Sequence, residues 1–378
     1  MNKSMQESLS RVHSAIAHLR EGNMVILTDD ISRENEGDLI FPAQDVTPEK
    51  INFMIRRARG LVCLSLAPQI VDRLQLPLMG APGRKSLTKE TAFTVSIEAK
   101  NGVTTGISAA DRAHTIAIAV SDHASPDDLV VPGHIFPLKA RHGGVLERAG
   151  HTEGSVDLVK LAGKKSAAVI CEIMNDDGTM ARLPDLEQLA KTFSLPLVSV
   201  EDLITYRLLK DTLVQHLGQR PFSTPRGTFN GAWFYSTVDQ CTHFALIKGR
   251  DFAHHAVHVR MHKQLPLSDV FGDGQSRRGG GRWAIDYGLN LLAEQERAVV
   301  VYLSQADQQA AIQEHLSDEK IQVMDPRYYG IGAQILKFLG VKQMHVHLHT
   351  SRSLIGLSGF GLEIIETVVM QPPYLENL

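Results

Sequence analysis

Five carboxylates and one arginine crowd into Asp29-Asp30-Ile31-Ser32-Arg33-Glu34-Asn35-Glu36-Gly37-Asp38. Such a density of like charge repels itself unless a cation sits among it. Hard divalent ions take oxygen ligands from one or two carboxylates, waters and substrate oxygens, so the segment reads as a metal loop, with a solvated acidic loop as the alternative. A second cluster, Arg148-Ala149-Gly150-His151-Thr152-Glu153, stands just before a helical pattern. There an arginine and the free backbone donors of a helix start could hold a phosphate, and His151 could complete a mixed carboxylate and imidazole metal site. Glu153 fits the same helix start as an acid favoured by the helix dipole. Pro132-Gly133-His134, Gly102-Val103-Thr104-Thr105-Gly106 and Cys171-Glu172 add polar groups at the ends of expected strands, where α/β folds carry their sites. Cys63 lies in an apolar run, where a thiol behaves as a small core hydrophobe.

Those residues need elements to position them. Met5, Leu9, Val12, Ile16 and Leu19 recur at helical spacing, and Gly22 can end that helix in a left-handed cap. Strand-like runs come next at 24–27, 61–66, 92–97, 135–138, 167–173 and 197–200, with helical patterns at 48–59, 111–121, 151–161 and 186–193. The mixture is α/β or α+β. A chain of 378 residues exceeds one typical domain. Around 205–219 the apolar helical pattern runs out, and Pro221, Pro225 and Gly227 punctuate the next stretch of chain, so the boundary is placed there. Beyond it come strand-like runs at 256–261, 298–303 and 362–370 and a glycine cluster at 279–281. A formal net charge of −3 leaves no electrostatic footprint for nucleic acid or an anionic membrane. The three cysteines, Cys63, Cys171 and Cys241, are too few and too scattered for a disulfide framework, which points to a reducing cytoplasm. No apolar run approaches the ~20 residues that cross a bilayer.

The strings DDISRENEGDLIFPA, GLVCLSL, TAFTVSIEA, GVTTGISAADR, PGHIFPL, GGVLERAGHTE and CEIMNDDGTMAR fall in order along the first part of the chain. Together they resemble the 3,4-dihydroxy-2-butanone 4-phosphate synthase family of riboflavin biosynthesis. The resemblance implies an α+β domain over 1–208, a mixed sheet flanked by helices. It also implies a homodimer whose active site borrows residues across the interface. The implied reaction is a lyase step in which D-ribulose 5-phosphate gives 3,4-dihydroxy-2-butanone 4-phosphate and formate. Glu34 and His151 would ligate Mg2+ or Mn2+, with two ions accommodated, while Arg33, Asp38, Arg148, Gly150 and Thr152 hold the sugar phosphate. His134 and Glu172 would be catalytic, with Cys63 and Thr105 lining the site. Enolisation, loss of water and rearrangement each build oxyanion character, which a Lewis acid stabilises while a carboxylate takes a carbon-bound proton. Glu36, Asp38 and Glu172 all remain candidates for that base. Glu172 ranks as the proton shuttle and Asp38 as a holder of substrate.

Pro221–Gly227 and the segments 329–336 and 355–363 resemble GTP cyclohydrolase II, which implies a second α/β domain over 209–378. That family binds a catalytic zinc through three cysteines, whose places here fall at Gln264, Gln275 and Arg277. Its arginine- and glycine-rich catalytic segment is replaced by Ser304-Gln305-Ala306-Asp307-Gln308-Gln309. The second domain is therefore expected to lack zinc and cyclohydrolase activity. His254, His255, His258 and His262 are read as scattered surface histidines, because along one strand they spread too far to meet at one ion. Two other readings stand beside this one. In the first the chain keeps both activities with a rearranged zinc site, and in the second it is a non-catalytic scaffold.

Overall fold

The computed structural model describes residues 3–30, 33–79, 91–271, 282–305, 312, 326–348 and 360–370. Contacts divide the chain into two units, one from Gln6 to Arg207 and the other from Leu208 to Leu378 together with the first five residues.

In the first unit, α1 (Lys3–Arg20) buries Val12, Ala15, Ile16 and Leu19 along one stripe, and Gly22 just beyond it has φ +79°. The chain continues through β1 (Val25–Thr28), β2 (Gly37–Pro42), α2 (Pro48–Arg57), β3 (Cys63–Leu66), α3 (Pro68–Arg73), β4 (Ile97–Ala99) and α4 (Ala109–Ala119). It closes with β5 (Leu129–Lys139), α5 (His151–Leu161), β6 (Ala167–Glu172), α6 (Leu183–Phe193), β7 (Leu197–Ser199) and α7 (Val200–Lys210). Local chemistry sets several of these starts. Thr47 accepts the Lys50 N–H at 3.3 Å and Pro48 occupies the first turn of α2, while Ser108 caps α4 through the Asp111 N–H at 3.0 Å.

The strands form one mixed sheet in the order β4-β5-β3-β6-β2-β1-β7. Strand β2 is absent from the strand-like runs that periodicity marks. Its apolar residues Leu39, Ile40 and Phe41 are all fully buried, so the run lacks the alternation of a half-exposed strand. The 92–97 run differs too, because Phe93 makes only an isolated bridge and the ladder begins at Ile97. One face of the sheet, with Leu39, Phe41, Leu64, Val169 and Cys171, packs on Ile51 and Met54 of α2, Ile116 of α4 and Leu186 of α6. The other, with Ile40, Cys63, Ala168 and Ile170, packs on Leu19 of α1, Leu158 of α5 and Leu203 of α7. The architecture is three layers with the sheet in the middle.

The second unit holds β8 (Val214–Thr224), β9 (Gly227–Ser236), β10 (Thr242–Lys248), β11 (Val257–Lys263), α8 (Pro266–Phe271), α9 (Arg282–Glu294), β12 (Ala298–Leu303), α10 (Pro326–Phe338), β13 (Gln343–Leu348) and β14 (Glu363–Val369). Its mixed sheet runs β14-β13-β11-β12-β10-β9-β8, with β11, β12, β13 and β14 parallel to their neighbours where those neighbours belong to this group. Strand β8 is likewise missing from the sequence pattern, since its side chains are exposed or half-buried along its length and give no apolar signal. The glycine cluster at 279–281 lies outside the described residues.

Candidate active site

Strand parity assembles the site on the α5 face of the first sheet. Ile40 of β2 and Ile170 of β6 both point into the core beneath α5, so Asp38 and Glu172, each two residues away, point the same way. The register then sets Asp38 directly opposite Glu172, a cross-strand pair with Cβ atoms about 5 Å apart. Cys63 is on the same face, opposite Ile170. Asp29 follows β1, and α5 begins at His151 after Gly150, whose extended backbone caps the helix.

At this strand edge Asp29, Glu34 and His151 bring one ligand atom each within 4.8 Å of the others. His151 Nδ1 lies 3.9 Å from a Glu34 oxygen. The loop is wound around Asp29, whose carboxylate accepts the N–H groups of Glu36 at 2.8 Å and Glu34 at 3.2 Å. Arg33 bridges Asp29 at 2.7 Å and Glu34 at 2.8 Å. From the other side Arg182 donates to the carbonyls of Glu34, at 2.8 Å, and Asn35, and lies 4.0 Å from the Glu36 carboxylate.

The electrostatics follow from crowding and burial. Burial and then Glu172 hold Asp38 protonated well above the usual carboxylate range. Burial raises Glu172 as well, and burial followed by Glu34 raises Glu36. His151 moves the other way, because burial disfavours the imidazolium. Of these site residues, Asp38 and His151 each leave a buried polar atom without a hydrogen-bond partner, Oδ1 and Nε2. A neutral imidazole with an unused nitrogen, beside carboxylates that repel one another, is the donor set that a hard divalent cation satisfies. The residues fit such an ion.

The other expected residues fall into two groups. Arg148, Gly150 and Thr152 gather at the start of α5. Arg148 is held by Glu153 at 2.6 Å and by the Thr91 hydroxyl at 2.8 Å. The reading of Glu153 as a mere dipole partner needs correcting. It is 1 % exposed, and its second oxygen accepts the Arg141 N–H at 3.1 Å, so it fixes the arginine and the preceding loop. His134 and Thr105 stand apart from the acidic loop, toward the other edge of the sheet. His134 lies two residues before Phe136, the partner of Cys63, which places it in the row of Glu172 about 10 Å away across two strand spacings. Glu98 holds His134 Nδ1 at 2.6 Å and is itself held by the Thr115 hydroxyl at 2.7 Å. Gly106, next to Thr105, has φ +87°, and a Cβ there would sit 2.0 Å from the Glu98 carboxylate. The loop approaches His134 only because this residue is glycine. Cys63 is buried, and burial followed by Glu172 pushes its thiol pKa up, so it forms part of the floor.

Sequence reasoning included Asp29 in the metal loop without naming it as a ligand, and gave no role to Glu98 or Arg182. Glu98 carried a signal, since a carboxylate inside the apolar run Val95-Ser96-Ile97-Glu98-Ala99 must find a partner. Arg182 carried none, because its partners are set by loop closure.

This constellation can be placed among known proteins. Residues 13–206 match the family model described as 3,4-dihydroxy-2-butanone 4-phosphate synthase, and residues 215–369 match GTP cyclohydrolase II. A Neisseria meningitidis serogroup A protein named 3,4-dihydroxy-2-butanone 4-phosphate synthase is 45% identical over 360 residues, covering 94% of this chain and 97% of its own. The chain belongs to the 3,4-dihydroxy-2-butanone 4-phosphate synthase family. Among solved structures, RibBX of A. baumannii, described as a two-domain synthase, aligns with a TM-score of 0.78 at 39% identity, covering 95% of this chain and 100% of its own. A synthase in complex with two magnesium ions aligns with a TM-score of 0.51 at 38% identity, over 53% of this chain and 97% of its own. The family match therefore spans the acidic loop, the Asp38 and Glu172 pair and the start of α5.

In the second unit of this synthase-family chain, Gln264 and Gln305 are tied together. The Gln264 side-chain oxygen accepts the Gln305 N–H at 3.1 Å, and the Gln305 side chain donates to the Gln264 carbonyl at 2.6 Å. Gln275, Arg277 and residues 306–309 lie outside the described residues. The four histidines do not meet. His254 and His255 are exposed beside Asp251, at 3.8 and 3.7 Å. His262 is a correction to the surface reading, being 2 % exposed and bound to Asp269 at 2.9 Å. No helix among the described residues is long and apolar enough to cross a membrane.

Proposed function

We propose that the first unit converts D-ribulose 5-phosphate into 3,4-dihydroxy-2-butanone 4-phosphate and formate. The observation that carries this reading is the buried Asp38 directly opposite the half-buried Glu172, with Asp38 Oδ1 unpartnered, beside the Asp29, Glu34 and His151 cluster. Two carboxyls that cannot comfortably both ionise keep a proton between them, so one can accept the carbon-bound proton while the other donates. Glu172 is the shuttle in this reading, which the Leu61 N–H supports by holding one of its oxygens at 2.9 Å. Asp38 holds a substrate hydroxyl, and Glu36 is the remaining base on the loop. His134, with Nδ1 fixed by Glu98, has Nε2 for the departing hydroxyl. Arg148, Gly150 and Thr152, at the positive end of α5, hold the phosphate with Arg33. Thr105 and Cys63 line the site.

Glu34 and His151, with Asp29 beside them, would hold Mg2+ or Mn2+, one or two ions, which supplies Lewis-acid stabilisation of the ketose oxygens. The active form is taken to be a homodimer, which sedimentation checks. Cyclohydrolase activity is not part of this reading, because Cys241 is the only cysteine of residues 209–378 and cannot supply a thiolate triad. Zinc content measured together with GTP turnover tests that separately.

The deciding assay incubates purified protein with ribulose 5-phosphate and Mg2+ and measures formate and the four-carbon phosphate. Product from the parent, lost with a chelator and in both Glu34→Ala and His151→Ala, is expected. No product from a folded parent with either metal would leave the scaffold reading in its place.

A further inference from the structure

Outside the synthase site, the second unit gathers imidazoles on one sheet face. His258 on β11 and His345 on β13 are register partners on adjacent parallel strands, and His347 lies two residues beyond His345, on the same face. His258 Nδ1 and His347 Nε2 approach to 3.0 Å. His345 stacks on His258 with ring centroids 4.8 Å apart. Each β13 ring has an outer partner. The Tyr287 hydroxyl meets His347 Nδ1 at 2.7 Å, and Glu366 of β14 meets His345 Nδ1 at 3.1 Å. Neither outer partner uses an Nε2 nitrogen, and that of His347 meets His258 Nδ1.

We propose that His258, His345 and His347 form a binding site for a borderline transition-metal dication of the zinc class, spanning β11 and β13. One histidine on a strand and two at i and i+2 on its neighbour make a triangle with edges of about 5 and 7 Å between Cα atoms, within reach of imidazole side chains closing on one ion. On a tetrahedral ion at about 2.0–2.1 Å, two nitrogens stand about 3.3 Å apart. The His258 and His347 nitrogens need to open by only about 0.3 Å from their present 3.0 Å. His345 has to unstack from His258 to join them, since the three nitrogens do not yet share one coordination sphere among the described residues. The carboxylate on His345 and the phenol on His347 are the outer partners that fix imidazole tautomers around metals. Imidazole nitrogens favour zinc-class ions over magnesium, which separates this site from the oxygen-rich loop of the first unit. It is also separate from the Gln264 position, where the cyclohydrolase II family carries a cysteine. His349 continues the alternation and lies outside the described residues.

The test uses full-length protein carrying Glu34→Ala and His151→Ala, which removes the first metal site, and titrates Co2+ after chelator treatment. Expected is about one equivalent bound with the strong visible bands of a four-coordinate, nitrogen-rich ion, displaced by Zn2+. Adding His258→Asn and His347→Asn abolishes the bands, while the same two changes in the otherwise native chain leave formate release and the thermal unfolding profile intact and so report that both units are folded. Glu366→Gln weakens Co2+ binding by about 10- to 100-fold. The His254→Ala and His255→Ala pair leaves the bands unchanged. Absent bands, bands that survive loss of His258 and His347, or bands lost with His254 and His255 would each overturn the proposal.

Discussion

Replacing Glu153 with alanine tests how the phosphate end of the site is held. The Glu153 side chain is 2 % exposed and the Arg148 side chain 11 % exposed, with their charged atoms 2.6 Å apart. Burial raises the Glu153 carboxyl above its usual range even with Arg148 beside it, so the pair itself stores little net energy. Breaking it is different. Alanine strands the Arg148 guanidinium away from water without its carboxylate and frees the Arg141 N–H, and loss of one partner of a buried pair costs about 3–5 kcal/mol. For a unit of this size that lowers Tm by about 6–20 °C. The double variant Arg148→Met/Glu153→Met removes both charges and should be neutral or stabilised by about 1–4 kcal/mol, yet release no formate. Thermal unfolding and formate assays on Arg148→Met, Glu153→Met and their double variant complete the cycle. An unchanged Tm for Glu153→Ala, or a double variant as unstable as that single one, would refute the reasoning.

The same geometry sets three further outcomes. Glu98→Gln should lower formate turnover by about 10²-fold with little change in KM, because His134 loses its charged anchor, and a change under twofold would dissociate Glu98 from the chemistry. Gly60→Ala should destabilise by about 1–3 kcal/mol and reduce activity, since a Cβ there would sit 2.4 Å from the Glu172 carbonyl, and wild-type unfolding and rate would contradict that close approach. Asp202 is buried, which by itself raises its pKa, but the Arg11 bonds at 2.7 and 2.8 Å, with help from Ser8 and Ser199, bring it below the usual carboxylate value. A carboxyl depressed in the folded state stabilises above its unfolded pKa of about 3.9, and that contribution is lost as pH falls through the folded value. The Tm gap between wild type and Asp202→Asn should therefore be full at neutral pH and close below about pH 4, whereas a gap independent of pH would reject the ion pair as its source.

Local patterns carried much of the first unit. The stripe of α1 with its glycine stop, and the α5 helix from His151 to Leu161, follow from spacing and capping that a chain segment contains within itself. Strand β2 escaped because a run buried on both faces shows no period, and β8 because a mostly exposed strand shows no apolar residues at the expected places. The histidines of the second unit illustrate the same limit. Their spacing along β11 argued against a shared ion, and the actual neighbours of His258, namely His345 and His347, came from β13, whose pairing no local pattern announces.

The sequence by itself determined which chemical groups were available: an acidic loop, an arginine and histidine at a helix start, and no thiolate triad in the second half. It also determined strand parity, since alternate residues must face opposite sides of a sheet. Only the tertiary structure decided that Asp38 faces Glu172 across β2 and β6, that Glu98 anchors His134, and that Glu153 anchors Arg148. Register and loop closure are set by the burial of whole strands and helices against one another, an energy that belongs to no single segment.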